Sequence, residues 1–523
     1  MSGDPLRLSE FVATLALAQD NAFGQPLESQ LRSCLLASWI CGTADVDAAT
    51  CETTYWVALL RYVGCTAHAH EVASLFGDDI GIRGQTLVHD GADLAEVMRD
   101  VMAFATAPER SQADRDAAVR VIQESAAAWV DHNSASGCEA GDMLVQRVGF
   151  GDEVRDALRF TFERWNGKGH PAHSTGEDIP LPMRIVHLSH DMEAIGRRFS
   201  PQQAVDAARD RRDRTYDPQL ADVFVERGLE WFATLARIEP WDAVLALEPH
   251  PRRLLEGAEL DRALLVAADF IDLKSPYMGG HSRRCAALSA DACRALGLTD
   301  DEITDVRRAA LVHDFGITAV SNAVWDKSSA LTRAERDRVE RHPMVTEQML
   351  RRSPAFEAVS PIAAAHHETA NGSGYHKRLR AAASGAGACV LAATEVYVGL
   401  TADRADRPAF SPDAAAAELQ DLVSRGVLEP RAAHAVLVAA GQAEPEAPAR
   451  KRAQNPGGLS GRELEVLDLA VRGLTKQQIA DRLFISPKTA DHHIQHIYTK
   501  IGVSTRAAAA LWAMQNDLVS PAV

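Results

Sequence analysis

The chain has 523 residues, 46% hydrophobic and 24% charged, which is enough for several cores and excludes disorder throughout. Its net charge of −17 excludes a protein basic along its whole length that coats nucleic acid or an anionic membrane. Aromatic residues supply only 6%; with alanine abundant, that favours helices over a β-sandwich.

The first twenty residues carry acids early and lack a basic start, a long apolar core and a cleavage site. No apolar run approaches the roughly 18–20 residues that span a bilayer. The eight cysteines include no CxxC pair, so a zinc ribbon or thioredoxin-like site is not expected. A cytoplasmic protein with reduced thiols and no membrane partner is the expectation.

An internal repeat organises the body of the chain. Arg61-Tyr-Val-Gly-Cys-Thr-Ala67 aligns with His313-Asp-Phe-Gly-Ile-Thr-Ala319, and Glu163-Arg-Trp-Asn-Gly-Lys-Gly169 aligns with Glu368-Thr-Ala-Asn-Gly-Ser-Gly374. Copy one is placed at 1–235 and copy two at 240–440. The two motifs lie 102 residues apart in copy one and 55 in copy two, so about 47 extra residues are expected within 75–140 of copy one. Apolar spacing predicts helices in both copies, and the glycine-rich segments 371–375 and 384–387 predict loops. His89-Asp90 falls in the extra stretch without partner histidine motifs and reads as an ordinary loop or helix-end pair. His68 and His70 are two residues apart and would not share a helix face.

Copy two carries His281, His313-Asp314, His342 and His366-His367. Imidazole and carboxylate suit borderline divalent metals. In a His-Asp pair the imidazole can hold one ion while the two carboxylate oxygens reach a second. Two ions about 3.5–4 Å apart can bind a phosphate, activate water and stabilise the leaving oxygen. The ordered set of segments 272–277, 281–282, 309–316, 331–335, 342–343, 366–375 and 400–404 resembles the HD superfamily of metal-dependent phosphohydrolases, in its HD-GYP branch, which cleaves cyclic di-GMP. The resemblance implies two divalent ions, Fe or Mn, with His281, His313 and a bridging Asp314 on the first, and His342, His366 and His367 on the second. It puts Glu395 where the family has a later metal-binding Asp, and makes His313 and Asp314 the catalytic pair. Ile317 stands where the family has Lys, Asn371 where the glycine loop has Asp, His376 where it has Pro, and Tyr277 where members with a third metal have Glu. A cyclic dinucleotide, another phosphoester, and binding without turnover all stay open as uses of the site. In copy one the aligned positions are Ser29, Arg61-Tyr62, Thr161-Phe162 and a place near His190, so copy one reads as a degenerate domain that has kept its frame.

Residues 441–458 are rich in Pro, Ala, Gly and charge and read as a linker. From Lys451 onward nine Lys/Arg face six Asp/Glu, a net +3, leaving −20 on the preceding 450 residues. A small basic module on an acidic body is the asymmetry expected of a regulator with a DNA-binding end. Residues 459–515 predict four short helices. Ser460 with Glu463, Thr475 with Gln478, Ser486 with Pro487, and Ser504 or Thr505 mark the starts, and Gly473 and Gly502 mark stops. On the third helix Ala490, Ile494, Ile497 and Ile501 form one buried stripe, and Lys488, Asp491, His492, Gln495 and Thr499 an exposed polar one. Such a stripe fits a major groove, with Gln495 suited to adenine, and Lys476, Lys488 and Lys500 suited to phosphates. This module, 459–523, resembles the LuxR-type helix-turn-helix, and the expected DNA-binding set is Thr475, Lys476, Lys488, Thr489, Asp491, His492, Gln495 and Lys500. The family commonly dimerises through its last helix, here about 505–515, so a homodimer on double-stranded DNA is expected. The predicted architecture is all-α: two HD-domain-like helical bundles followed by a four-helix LuxR-type helix-turn-helix module.

Overall fold

The computed structural model describes residues 5–90, 94–442, 456–516 and 518; 443–455, most of the predicted linker, lie outside the described residues. The chain divides into two compact units, 6–255 with 321–323, and 256–320 with 324–523 and the first five residues. The described residues are all-α apart from one two-residue antiparallel pair, Leu6–Arg7 with Leu254–Leu255. Among them no helix is long and apolar enough to cross a membrane.

In the first unit, the helices Leu8–Ala22, Ser29–Thr43, Ala48–Leu60 and Leu181–Arg198 pack on one another. Their buried faces are lined by Leu15, Leu35, Leu59 and Ile185. The residues that make copy one longer build a satellite core of their own. Helices Ala69–Phe76, Asp79–Thr86 and Leu94–Ala105 and the first half of Gln112–Val148 bury Val72, Phe76, Ile82, Ala105, Ala118 and Ile122 together. Gln112–Val148 is broken at Ser125, whose backbone is not helical.

In the second unit, the helices His281–Leu296, Asp300–Val312, Ala386–Leu400, Pro412–Ser424 and Pro430–Ala439 enclose a core of small and branched residues, among them Ala292, Val306, Val390, Leu419 and Val436. The segment 371–375 is a loop as predicted, but 384–387 is not. Gly385, at φ 81°, is a one-residue break between the helices Ala381–Ser384 and Ala386–Leu400, and it spares an L side chain the left-handed conformation.

The four predicted C-terminal helices are Gly461–Val471, Lys476–Leu483, Pro487–Ile501 and Arg506–Gln515. Ser460, Thr475, Ser486 and Thr505 each cap a helix through the side-chain oxygen, the first two in reciprocal capping boxes with Glu463 and Gln478. Gly473 and Gly502 adopt the left-handed conformation just past their helices. Ala490, Ile494 and Ile497 are buried in the module's core with Val466, Leu467 and Ile479, and Ile501 packs at its edge.

Glu463 links the start of its own helix to the helix Pro487–Ile501. One carboxylate oxygen accepts from the Ser460 N–H at 2.7 Å and pairs with Lys500 Nζ at 2.7 Å; the other meets His496 Nδ1 at 2.9 Å. Lys500 and the Ser460 N–H hold its carboxyl down to about 2. A depressed carboxyl stabilises the fold above its unfolded pKa and loses that contribution as pH falls through the folded value. Glu463→Gln is therefore expected to destabilise the C-terminal module by about 1 kcal/mol at pH 7. In thermal melts from pH 7 to pH 2 the difference from wild type should shrink below about pH 4.5 and approach zero near pH 2.

Candidate metal centre

The second unit gathers its histidines from four places. His281 opens the helix His281–Leu296, after Gly280 in the left-handed conformation. Asp272, fully buried, accepts from Ser282 N at 3.0 Å and Ser282 Oγ at 2.7 Å and so fixes the start of that helix; burial pushes its carboxyl up to about 8. His313 and Asp314 follow the helix Asp300–Val312 directly. The next turn, Phe315–Ala319, passes so close to the start of His342–Leu350 that a Cβ on Gly316 would lie 1.9 Å from the His342 carbonyl oxygen. Only glycine allows this approach, which brings His342 to the His-Asp pair. Thr346 Oγ1 ties the same contact, donating to His313 O at 2.8 Å and accepting from Gly316 N at 2.9 Å.

Three of the imidazoles are oriented in the same way. The Nδ1 atoms of His313, His342 and His366 donate to the carbonyls of Ala310, Val339 and Ala363, each three residues back, at 2.8, 2.6 and 2.6 Å. Each Nε2 is thereby left as the inward-facing donor atom, the arrangement that fixes the tautomer of metal-binding histidines.

Asp314 lies between two sets of these nitrogens. Its Oδ2 is 3.3 Å from His313 Nε2 and 3.8 Å from His281 Nε2. Its Oδ1 is 3.3 Å from His342 Nε2 and 3.4 Å from His366 Nε2. Glu395 joins the first set, with Oε2 2.9 Å from His281 Nε2 and 3.2 Å from His313 Nε2. His367 packs beside His366 and His342, tilted to the first ring and edge-on to the second, with ring centroids 4.3 and 5.0 Å away. The donor atoms of His281, Cys285, His313 and Glu395 fall within 4.8 Å of one another, as do those of His342, His366 and His367. Burial disfavours charge on Asp314, yet His313, His342 and His366 hold its carboxyl well below the usual range. Burial likewise opposes charge on His313, but Asp314 and Glu395 raise its pKa well above the ordinary value. Asp314 and Glu395, which have no lysine or arginine partner among the described residues but face inward-pointing imidazole nitrogens, form with them a donor set that fits divalent cations.

The sequence reading missed Cys285. Its Sγ lies 3.6 Å from both His281 Nε2 and Glu395 Oε2. The signal was present in the i, i+4 spacing from His281 on one helix, which puts both side chains on one face. Of the family departures, Ile317 is buried and apolar. Asn371 Oδ1 accepts from Ser373 N and Thr369 Oγ1 and shapes the glycine loop. His376 sits 3.3 Å from Glu347, and Tyr277 is half-buried.

Copy one reproduces the frame in detail. Glu28, left-handed, precedes Ser29 as Gly280 precedes His281. A Cβ on Gly64 would lie 1.8 Å from the Gly137 carbonyl oxygen, the counterpart of the approach at Gly316. Buried Glu163 accepts from the N–H groups of Ala172 and Ser174, nine and eleven residues on, and buried Glu368 does the same for Lys377 and Leu379. The inside differs. Arg61 and Arg164 stand 3.8 and 4.0 Å from Asp191, and Tyr216 donates to Asp191 at 3.0 Å. Burial and Arg61 hold the His190 imidazole down to about 4. Guanidinium groups occupy the place where copy two concentrates imidazoles, and they have no lone pair to give a metal. In the extra stretch, His89 is clamped by Glu96 at 3.0 Å and Asp100 at 2.7 Å.

In the C-terminal module, Lys488, Thr489, His492 and Gln495 are exposed on the third helix. Other members of the expected set are engaged within the chain: Thr475 caps its helix, Lys476 Nζ pairs with Asp491 Oδ1 at 2.6 Å, and Lys500 pairs with Glu463.

Residues 266–429 match the HD domain family, and residues 458–513 match the bacterial regulatory proteins of the luxR family. The chain carries an HD domain and, after it, a LuxR-type helix-turn-helix module. It is 28% identical over 418 residues to the 3'3'-cGAMP-specific phosphodiesterase 3 of Vibrio cholerae, across 79% of this chain and 90% of the relative. A match of that length takes in both repeats. The crystal structure of the cyclic GMP-AMP specific phosphodiesterase V-cGAP3 of V. cholerae has the same fold, with a TM-score of 0.58 at 24% identity, covering 84% of this chain and 98% of that one. The module alone is 45% identical over 62 residues to the transcriptional regulatory protein LiaR of Bacillus subtilis, spanning 12% of this chain and 29% of LiaR.

A cation bound only by the native cluster stabilises the folded state by mass action. Chelation of the metal-loaded protein is expected to lower its melting temperature by several degrees (roughly 2–4 °C for each kcal/mol lost). In Asp314→Asn that chelator-induced shift should fall to less than half, measured by differential scanning calorimetry with and without chelator.

Proposed function

We propose that the protein is a transcriptional regulator that binds double-stranded DNA as a homodimer and whose second repeat binds and hydrolyses a cyclic dinucleotide or a related phosphodiester at two divalent metal ions, Fe or Mn. The observation that carries this reading is the division of Asp314, with one oxygen toward His281 and His313 and the other toward His342 and His366. His281, His313, Asp314 and Glu395 would hold one ion, and Asp314, His342, His366 and His367 the other. Two such ions would neutralise the phosphate and activate water for attack. The chain's own part is to hold the donors rigid: the carbonyls of Ala310, Val339 and Ala363 fix three rings, and Glu368 fixes the loop beside His367. Burial, with Arg404 nearby, opposes protonation of His281, and Arg404 would supply a cation toward substrate phosphate where buried Ile317 supplies none.

Segments neighbouring the metal cluster in sequence contact the DNA-binding module within the second unit. Arg472 Nη1 pairs with Asp403 Oδ2 at 3.4 Å, one residue from Arg404, and Gly473 lies against Pro276, five residues before His281. Helix Arg506–Gln515 packs on Gly257–Asp272. Ala507, Ala508, Leu511 and Met514 of that helix are buried but do not belong to the module's own core. The helix expected to dimerise is therefore covered by the HD domain. Ligand at the metal site would bias this contact by shifting the segments around Pro276 and Asp403, which requires that it bind one arrangement more tightly.

With Mn or Fe supplied, the full chain is expected to hydrolyse 3'3'-cGAMP or cyclic di-GMP. Asp314→Asn should lower the rate by about a thousandfold or more, as expected when transition-state charge stabilisation is lost. A metal-loaded wild type that binds these nucleotides without releasing product would replace hydrolysis by sensing, the reading favoured by apolar Ile317. In gel shifts at two salt concentrations, Gln495→Ala should weaken binding to operator more than to scrambled DNA by about 1–3 kcal/mol. Lys488→Ala should weaken both and reduce the salt dependence, and Arg472→Ala, by releasing the covered helix, should tighten both. Equal losses for Gln495→Ala and Lys488→Ala would refute the assignment of the reading face.

A further inference from the structure

Among the described residues, copy one has no metal cluster where copy two has its centre, but it carries a different set of donors at its glycine loop. Asp131, on the helix Gln112–Val148, places Oδ1 2.6 Å from His170 Nδ1 and 3.8 Å from His173 Nε2. The three donor atoms lie within 4.8 Å of one another. We propose that Asp131, His170 and His173 form a second, independent site for a borderline divalent cation, zinc by its chemistry, on the surface of copy one.

The donor set is two imidazoles and one carboxylate, which suits zinc, nickel or cobalt. In a tetrahedral zinc site the ligand atoms stand roughly 3.3 Å apart, as bonds of about 2.0–2.1 Å require. The 2.6 Å Asp131–His170 contact must open, and the 3.8 Å Asp131–His173 contact close, each by less than about 1 Å to reach that spacing. The side chains are partly exposed, 34% for Asp131, 31% for His170 and 52% for His173, so a cation reaches them without unfolding the unit, and a fourth position stays open to solvent.

The loop is pre-organised independently of the donors. Both oxygens of buried Glu163 hold the N–H groups of Ala172 and Ser174, one on each side of His173, and His170 N donates to Phe162 O at 3.0 Å. His173 keeps a left-handed backbone, φ 55°, a conformation uncommon outside glycine although histidine is among the residues that adopt it more often. Copy two has the same frame: Tyr375 N donates to His367 O, and Arg378 is left-handed at φ 57°. At the two positions where copy one presents His170 and His173, copy two presents Tyr375 and Arg378. The frame is thus common to both loops, and the donor set belongs to copy one alone. A cation there would pin the loop to the long helix.

The test is zinc stoichiometry on the full chain, stripped of metal, reloaded with zinc chloride, desalted and analysed by elemental mass spectrometry, with cobalt(II) absorption as a second readout. His170→Ala/His173→Ala is expected to retain one zinc fewer per chain than wild type and to lose a cobalt band that Asp314→Asn keeps. The two losses should add when the variants are combined, because the sites share no residue. Equal zinc content and identical cobalt spectra in wild type and the double histidine variant would overturn the proposal. If that variant melts differently from wild type, Asp131→Asn, which preserves side-chain shape, decides by calorimetric titration. Zinc binding at this site weaker by about tenfold or more supports the site, and unchanged binding overturns it.

Discussion

A buried carboxylate with no lysine or arginine partner among the described residues is the constraint around which the second repeat is arranged. Asp314 is 2% exposed. An isolated carboxylate in such a place costs several kcal/mol, so the fold must surround it with groups that accept its charge. Four imidazoles do so, two to each oxygen, and each arrives from a separate element. The close glycine contact at Gly316, the helix start at His281 and the backbone carbonyls that orient His313, His342 and His366 all serve that placement. The cluster is a packing requirement and a chemical one together, since any ring turned away would leave charge uncompensated.

Copy one shows a second solution to the same problem in the same frame. Asp191 is buried too; against the cost of burial, its hydrogen bond with His190 and the charges of Arg164 and Arg61 hold its carboxyl well below the usual range, and Tyr216 also donates to it. A guanidinium carries a permanent charge and five donors, so it can neutralise a buried carboxylate without an ion. The repeat has kept the backbone devices, Glu163 and Gly64 in one copy and Glu368 and Gly316 in the other, while the interior chemistry has moved from imidazoles to arginines. Copy one therefore balances its buried carboxylate without the histidine set of copy two.

The C-terminal module obeys a more local logic. Its helix starts and stops are set by neighbouring residues: Ser460 with Glu463, Thr475 with Gln478, Ser486 before Pro487, and Gly502 at the end of the third helix. Its charged residues are another matter, because Lys476 and Lys500 each meet an acid brought close only by helix packing. Lys488 and Gln495 remain on the exposed stripe. A charge pattern along one helix shows which side chains share a face, and not which of them a neighbouring helix has already engaged.

The sequence by itself determined the helical class, the repeat, the cap residues of the last module and the identity of the histidines that converge in copy two. Those features are written in periodicity, in side chains that bond three residues away and in motif order, all short-range or register-preserving signals. Spacing from His281 puts Cys285 on the same helix face, but only tertiary structure decided that Glu395 meets them there, that Gly385 breaks a helix pair instead of forming a loop, and that Asp191 is the carboxylate which the arginines of copy one neutralise. It also decided that Asp131 meets His170 and His173 across about forty residues of chain. Such contacts depend on how elements distant in sequence cross, and the crossing is set by the packing of whole helices, to which no single residue type is a guide.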